Sequence, residues 1–413
     1  MKRLSFARPV LNHEAVNWHL LLWVMVLSSF GLVMVTSASM ATAETYYGDS
    51  WFFAKRYATY WTMGLSAALL IAMVPVSVWE KHGGLFLIAA LVLLTLVLIP
   101  GIGRKVNGSQ RWLQLGPLAL QASEVVKFCA IIFYASFLAR RGAEMLADWR
   151  GVLKPLLTLA LLVFLLLLEP DFGASVVLAG TVMAMLFVAG VRMWQFLLLF
   201  VAAVGGLGLI ATLSPYRMQR LITFLDPWAD QYNSGYQLTQ SLIAFGRGEW
   251  LGQGLGNSLQ KLFYLPEAHT DFIFAIVAEE FGLLGVACIL AVFIGMVICV
   301  LNISQRAMKQ GANYISFATF GVAVMFAAQA FINLGVASGL LPTKGLTMPF
   351  ISYGGSSLLV TMMLVGLVMR ADYDLHTRMA KAQQQTLARA DKAARSARGS
   401  SRTPLLTDVV EAA

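Results

Sequence analysis

Lys261-Leu-Phe-Tyr-Leu-Pro-Glu-Ala-His-Thr-Asp-Phe272 is the stretch that decides how the rest of the chain is arranged. It closes a long polar segment and leads directly into an apolar run from about 272 to 300. An apolar run of this length is typical of a membrane-spanning helix. Glu267, His269 and Asp271 therefore lie where a helix meets the membrane surface.

Two interpretations of this polar turn stand side by side. Thr270 is a candidate N-cap, which places Asp271 in the first helical turn, where a carboxylate complements the helix dipole. Capping explains those two residues, but it does not explain the proline, Glu267 and His269 just before them. Titratable groups gathered at the mouth of a membrane segment favour a functional site.

The composition indicates a membrane protein. Of the 413 residues, 58% are hydrophobic and 12% are charged, about half the charged fraction of a typical soluble domain. The first apolar run is too long for a cleavable signal peptide and lacks a small-residue cleavage site. The net charge of +9 lies mostly beside apolar runs, which indicates membrane topology and anionic lipid rather than nucleic acid. All three cysteines lie inside apolar runs, a pattern that favours neither a disulfide framework nor a metal site.

The hydropathy pattern predicts an all-α polytopic membrane protein with ten spans. Basic residues gather in both tails and in the loops after the fourth and eighth spans, so the positive-inside rule places both termini in the cytoplasm. The largest outer loop follows the seventh span, and its glycines favour a tightly folded re-entrant loop over a phosphate-binding loop, because no strand precedes them. The predicted spans are about 18–38, 57–77, 84–100, 118–138, 154–169, 172–190, 195–213, 272–300, 315–336 and 349–370.

Three regions follow from this pattern. A cytoplasmic tail covers 1–17, a transmembrane domain covers 18–372 with its large outer loop at 214–271, and a basic cytoplasmic tail covers 373–413. Beyond about 380 the tail is rich in Ala, Gln, Arg and Ser, so we expect a flexible or weakly helical segment that makes a cytoplasmic contact.

Ionisable residues inside the predicted spans are a second group of candidates. Glu124 and Lys127 share a helix face, which fits either a self-neutralising pair that holds helices together or the polar wall of a cavity. Glu279 and Glu280 lie roughly 12–14 Å deeper than Asp271, at 1.5 Å per residue. An isolated ionised glutamate at that depth is unfavourable, so we expect each of the two to have a partner or to be protonated, and Lys127, at comparable depth, is a candidate partner for one of them.

The outer loops also supply cations. Arginine and lysine suit the recognition of pyrophosphate. Any single cation could equally contact a lipid headgroup, but their common position on the side of Asp271 favours a shared site. No metal site or cofactor is evident in the sequence, and the carboxylates could at most hold Mg²⁺ or Mn²⁺ together with waters. The candidate cations are Arg111, Arg217, Arg220, Arg247 and Lys261.

The residues alone leave two classes of function and a third, simpler one. The first is an enzyme that acts on a lipid-linked, pyrophosphate-bearing substrate, and the second is a transporter or flippase for such a substrate. The third is a membrane scaffold that positions partners. Because the charges gather in the outer halves of the spans, a one-sided site is favoured over a path across the membrane.

Two stretches resemble the SEDS family of bacterial cell-wall proteins. Leu265-Pro-Glu-Ala-His-Thr-Asp-Phe-Ile-Phe274 resembles one family signature. Asn333, followed by the stretch from Gly339 to Ser357, resembles the C-terminal signature over its full length. The resemblance covers about 18–372 and is strongest to the cell-division branch of the family.

The resemblance implies a peptidoglycan glycosyltransferase that polymerises lipid II into β-1,4 glycan strands for the division septum. It implies a place in the bacterial inner membrane, with a class B penicillin-binding protein of the FtsI type, other division proteins, membrane lipids and the nascent glycan as partners. The family's catalytic aspartate matches Asp271, which would deprotonate the 4-hydroxyl of the acceptor GlcNAc. That hydroxyl would attack C1 of the donor MurNAc with inversion, and undecaprenyl pyrophosphate would leave, so one base suffices. The supporting candidates are Glu267, His269, Glu124, Lys127, Arg111, Arg217, Arg220 and Lys261.

Overall fold

The computed structural model describes residues 16–400, with gaps at 107–108, 117, 148 and 343–344 and with only isolated residues described from 196 to 221. In this part of the chain the fold is a bundle of helices with one small sheet. The helices are α1 (Trp18–Tyr47), α2 (Phe52–Met73), α3 (Val76–Lys81), α4 (Gly83–Leu98), α5 (Ala122–Ala147), α6 (Trp149–Leu168), α7 (Phe172–Val188), α8 (Tyr236–Gly248), α9 (Ile273–Lys309), α10 (Asn313–Ala337) and α11 (Gly355–Ser400).

The helical architecture agrees with the prediction. Among the described residues, α1, α5, α6, α9 and α10 are long and apolar enough to cross a membrane, and α4 and α7 are shorter apolar helices. The predicted seventh span, 195–213, lies mostly outside the described residues. The count of ten spans and the position of the large outer loop therefore stay predictions.

A small sheet lies before α5, although no strand is predicted from the sequence in this segment. Strands β1 (Gly103–Val106), β2 (Ser109–Leu115) and β3 (Leu118–Gln121) pair antiparallel in that order. The predicted span at 118–138 therefore begins only at Ala122. A short apolar segment such as Leu118–Gln121 fits either a strand or the start of a helix, so its hydropathy alone does not separate the two.

The last span also differs from the prediction. The predicted segment 349–370 begins as a turn, in which Phe350 has a positive φ of 66° and the amide of Met348 donates to Ser352 Oγ at 2.8 Å. The helix α11 starts at Gly355 and continues to Ser400, so the start of the C-terminal tail is helical and continuous with the last span.

The helix α5 forms the centre of the bundle. Its apolar segment is 83% buried, against 22–39% for α1, α6 and α9. It packs against α4 on one side and α10 on another, while α2 lies along α11 and α9 lies along α10. Glu124 and Lys127 are therefore on the most enclosed of the five long apolar helices in the described residues.

The helix α9 is interrupted at Gly282, whose φ of 65° and ψ of −167° are not helical. The segment 249–254 lies against this break, and a Cβ on Gly252 would be 2.2 Å from the carbonyl oxygen of Glu280. Four backbone hydrogen bonds replace those that the break removes, as backbone at membrane depth requires. They run from the amides of Gln253 and Gly254 to the carbonyls of Glu279 and Glu280, and from the amides of Leu283 and Leu284 to the carbonyls of Glu249 and Trp250, at 2.9–3.1 Å.

The two ends of the bundle carry different groups. At one end, called the tail end, Asn17 Nδ2 donates to Asp372 Oδ2 at 2.8 Å, and Arg306 pairs with the same carboxylate at 2.9 Å. The start of α1 and the membrane exit of α11 thus lie at one end. The opposite end, called the Asp271 end, carries the sheet, the turn between α6 and α7, and the signature turn before α9.

Candidate functional site

The turn before α9 does not cap that helix in the expected way. The helix begins at Ile273, and its N-cap residue is Phe272, which makes no side-chain cap hydrogen bond. The prediction that Thr270 is the N-cap and that Asp271 lies in the first helical turn is wrong. Glu267 adopts a positive φ of 55°, and its carbonyl accepts the amides of Thr270 and Phe272 at 3.2 Å. The turn thus satisfies its own backbone groups, and the capping interpretation of Asp271 loses its support.

Two residues of the C-terminal signature hold Asp271 in place. Asn333 is 1% exposed, and its Nδ2 donates to the carbonyls of Asp271 at 2.9 Å and of Leu346 at 2.6 Å. A Cβ on Gly345 would lie 2.5 Å from Asp271 Oδ2, so the bare backbone at Gly345 lines the carboxylate. Neither residue is among the candidates above, although an asparagine inside an apolar helix is the kind of signal that marks one.

His269 joins three segments at the Asp271 end. Its ring centroid is 4.4 Å from that of Phe53 and 5.7 Å from that of Tyr353, and its carbonyl accepts the amide of Tyr353 at 2.9 Å. Burial lowers the pKa of the His269 imidazole, and the nearby Glu267 opposes this effect only in part. The ring is therefore neutral at neutral pH, and its contacts indicate that it positions the turn.

Glu267 is exposed and lies beside Thr270. Its carboxylate accepts the Thr270 hydroxyl at 2.7 Å. It is thus within the same turn as Asp271, and it has the solvent access that a substrate contact needs.

Glu124 and Lys127 form a buried ion pair. The shortest distance from Lys127 Nζ to the Glu124 carboxylate is 2.8 Å, and the two residues are 1% and 6% exposed. The expectation that Glu279 or Glu280 reaches Lys127 is wrong, because both glutamates are bound by the loop before α9. Glu124, Glu279 and Glu280 thus each have a cationic partner of their own, and the attraction within each pair offsets the free-energy cost of desolvation.

Glu279 is held by the middle of that loop, at 258–260. Its carboxylate accepts the amides of Leu259 and Gln260 at 3.1 and 3.2 Å and also the Ser258 hydroxyl. Arg247 Nε lies 3.1 Å from the same carboxylate. The loop and α9 are thereby joined at a fully buried charge.

Glu280 is held by the next residue of the loop, Lys261, and by α1. Lys261 Nζ lies 2.7 Å from its carboxylate, and the Ser37 hydroxyl donates to it at 2.7 Å. Lys261 is 8% exposed, so the structure places this expected rim cation inside the protein. Lys261 acts on the site by fixing the segment that leads to Asp271.

Arg111 binds the turn between α6 and α7. It donates to the carbonyls of Glu169 at 3.0 Å and Pro170 at 2.6 Å, and it lies 3.9 Å from the Asp171 carboxylate. Asp171 also accepts the Ser123 hydroxyl at 2.8 Å, which connects this turn to the start of α5. Glu169 is fully buried, and its carboxylate accepts no hydrogen bond from any described residue. Glu169 and Asp171 are absent from the sequence-based candidates, although a Glu-Pro-Asp turn between two apolar runs is a visible signal.

Three of the earlier expectations have no structural test. Arg217 and Arg220 lie outside the described residues. Within the described ranges, no three His, Cys, Asp or Glu side chains come together as metal ligands would. The possible Mg²⁺ or Mn²⁺ ion therefore stays a prediction.

Comparison with known proteins gives consistent matches over most of the chain. The model of the cell cycle protein family FtsW/RodA/SpoVE matches residues 17–377. The probable peptidoglycan glycosyltransferase FtsW of Saccharophagus degradans is 56% identical over 89% of this chain and 95% of the relative. The corresponding protein of Coxiella burnetii is 49% identical over 87% of this chain and 98% of the relative.

Solved structures agree with these matches. A chain from a peptidoglycan synthase complex, described for its coordination of polymerization and crosslinking, is 28% identical with a TM-score of 0.71, over 87% of this chain and 98% of that one. The rod shape determining protein RodA of Thermus thermophilus is 27% identical with a TM-score of 0.64, over 88% of this chain and 98% of RodA. With its helical polytopic fold and its two signatures, the chain belongs to the FtsW/RodA/SpoVE family of cell cycle proteins, the SEDS family.

Proposed function

We propose that this chain is a peptidoglycan glycosyltransferase that polymerises lipid II into β-1,4 glycan strands during cell division, with Asp271 as its general base. The observation that carries the proposal is the placement of Asp271. Its backbone is fixed by Asn333, its carboxylate lies against Gly345, and it is not the N-cap of α9. The curated relatives are named for the same activity.

The chemistry needs one proton acceptor at this place. Asp271 takes the proton of the acceptor's 4-hydroxyl as that oxygen forms a bond to C1 of the donor sugar. The bond from C1 to the pyrophosphate oxygen breaks with inversion, and undecaprenyl pyrophosphate leaves with the electron pair. A positioned base typically contributes about 10²–10⁴-fold to such a reaction.

The cations differ in what they can contribute. Lys127 and Lys261 are each paired with a buried glutamate, so they stabilise the bundle around the site. Arg111 is partly exposed at the Asp271 end, where it could also reach a pyrophosphate oxygen. We propose Arg217 and Arg220 as further contacts to the leaving pyrophosphate, because they lie in the predicted outer loop that leads to Asp271.

Substitution of the base tests the proposal. Asp271→Asn keeps the shape of the side chain but cannot take up a proton as a carboxylate does. With purified full-length protein, lipid II and the penicillin-binding partner, we expect glycan chain formation to fall about 10²–10⁴-fold while partner binding is kept. Glu267→Gln, in the same turn, is the comparison, and because Glu267 is at most a substrate contact in this assignment, it should lower the activity far less than Asp271→Asn.

Three results would count against this assignment. Wild-type polymerisation by Asp271→Asn together with an inactive Glu267→Gln would move the base to Glu267. Full lipid II transport across vesicles by a protein that forms no glycan in any condition would favour the flippase alternative. A division scaffold would show neither activity and would be indifferent to both substitutions.

We further propose that both termini are cytoplasmic and that the Asp271 end faces the periplasm. The shared position of Asn17 and Asp372 supports a common side for the two tails, and the basic tails favour the cytoplasm. Cysteines placed at Ser234 and Gln384, in a chain without its three native cysteines, should react from opposite sides. Labelling of both sites from the same side would contradict the three spans predicted between them.

Partner assembly is the last part of the proposal. One solved relative belongs to a complex that coordinates polymerization with crosslinking. We propose a class B penicillin-binding protein as the partner of this chain at the septum, where its transpeptidase would use the glycan that this site makes. Co-purification of the two full-length proteins from the same membrane tests the pairing.

A further inference from the structure

A groove at the tail end lies between the start of α1 and the second half of α9. It encloses about 620 Å³. Asn17 and Trp23 line it from α1, while Gly295, Ile298 and Lys309 line it from α9. It lies at the end of the bundle opposite Asp271, so the proposed reaction does not use it.

The lining changes from polar to apolar along the groove. From Lys309 to Gly295 the wall runs about 21 Å along α9, at 1.5 Å per residue. The end near Lys309 also carries Arg306, Gln305 and Asn302, whereas the far end carries Ile298 and the ring of Trp23. Beyond the groove, Leu22 of α1 and Ile294 of α9 are more than half exposed, as lipid-facing residues are.

The charge at the polar end is positive. Asp372 faces it, but its carboxylate is already bound by Asn17 and by Arg306, and His376 lies 3.7 Å away. Lys309 is exposed and forms no ion pair with a described residue. The N-terminus of α1 adds the positive end of a 30-residue helix.

A simpler role for Arg306 and Lys309 is to complement the helix dipole at the C-terminus of α9. That role requires no cavity beside them and no apolar extension of the cavity. The gradient from cation to aromatic ring matches a molecule with an anionic head and an apolar chain. Basic pockets between membrane helices are known to bind anionic lipid headgroups.

We propose that this groove is a binding site for one anionic phospholipid of the surrounding membrane. The phosphate lies at Lys309 and the α1 N-terminus, and an acyl chain lies along Ile298 and Trp23. A free phosphate would use only the polar end, and a zwitterionic lipid would lose the net attraction. The occupant is therefore a phospholipid with net negative charge.

The full-length protein in neutral detergent tests the site by native mass spectrometry. Added dioleoylphosphatidylglycerol should bind at least about fivefold more tightly than dioleoylphosphatidylcholine, the effect expected of one cation near a membrane surface. Lys309→Gln should weaken phosphatidylglycerol binding about fivefold, and Lys309→Glu about 25-fold. Ile298→Asn should weaken it as well, because the acyl chain loses part of its wall.

A matched control lies at the same end of the bundle. Lys81 is exposed at the end of α3, outside the groove, and Lys81→Gln should leave phosphatidylglycerol binding unchanged. Equal binding of the two lipids, or an equal loss in Lys81→Gln and Lys309→Gln, would overturn the proposal. Displacement of phosphatidylglycerol by inorganic phosphate, with no effect of Ile298→Asn, would show a free-anion site instead and would also overturn it.

Discussion

Removal of Lys261 should show how strongly the loop is fastened to α9. The ammonium of Lys261 lies 2.7 Å from the Glu280 carboxylate and 2.9 Å from Ser37 Oγ, and the two charged residues are 8% and 1% exposed. Lys261→Met fills a similar volume but leaves the carboxylate with the Ser37 hydroxyl and without a cation. Breaking a buried pair in this way costs about 3–5 kcal/mol, because the remaining charge is still desolvated.

A double variant distinguishes the effect of the charge interaction from the effect of side-chain volume. Lys261→Met with Glu280→Leu removes both charges together, and replacement of a buried pair by apolar residues is often neutral or stabilising. We therefore expect the single variants to lower the Tm of the purified full-length protein clearly and the double variant to recover most of the loss. Lipid II polymerisation should follow the same order, since the loop leads to Asp271.

An exposed pair of similar length is the control. Lys55 and Asp49 are 2.8 Å apart, but their side chains are 68% and 37% exposed. Lys55→Met should leave the Tm unchanged, because water already screens this pair. If Lys261→Met were as harmless as Lys55→Met, or if the losses of the two buried single variants simply added in the double variant, the buried pair would not be coupled and our reasoning would fail.

Three further predictions concern the turn itself. Gly345→Ala places a methyl group 2.5 Å from Asp271 Oδ2, so polymerisation should fall at least about tenfold at nearly constant Tm, whereas Gly84→Ala, with open space around it, should change neither. Asn333→Leu removes two hydrogen bonds of about 1 kcal/mol each and should lower both Tm and activity, with Gln329→Leu on the same helix as the comparison. Because the folded pKa of His269 lies below its unfolded value of 6.5, the unfolded chain binds the proton more readily, and Tm should fall as the pH drops below about 6.5. His269→Phe should remove that part of the pH dependence; an unchanged slope between about pH 7 and 5.5 would show that another group carries it.

The sequence predicts the helical membrane architecture because apolar runs longer than a bilayer have few other solutions. It does not predict the sheet at 103–121, since two of its three strands have only four residues, which is too short for a clear alternation of apolar and polar positions. It also does not predict the break at Gly282, because a single glycine in an apolar run is compatible with an unbroken helix.

For the site, the sequence identifies the charged residues and the pairing of Glu124 with Lys127, but not the partners of the other glutamates. Asp271, Glu267 and His269 share one turn, as expected from adjacent positions. Glu279 pairs with Arg247 and Glu280 pairs with Lys261, and neither reaches Lys127, because the loop before α9 folds back onto that helix. The spacing of residues along a helix does not predict such a long-range contact. Asn333 binds the backbone carbonyl of Asp271, and the backbone of Gly345 lies against its carboxylate. The residue types alone do not predict either contact.

The hydrogen bonds at the break in α9 make residues 249–284 a closed ring of chain, fastened at its ends by its own backbone. Asp271 lies inside this ring. The ring is closed by backbone hydrogen bonds. Most side chains at 249–254 can therefore vary in evolution, provided that Gly252 and Gly282 still allow the two segments to approach closely. Residues before 235 are outside the ring, and insertions there can lengthen the connection to α8 without moving the aspartate. The backbone geometry of the ring can thus stay constant in evolution while the surface residues around it change to bind different partners.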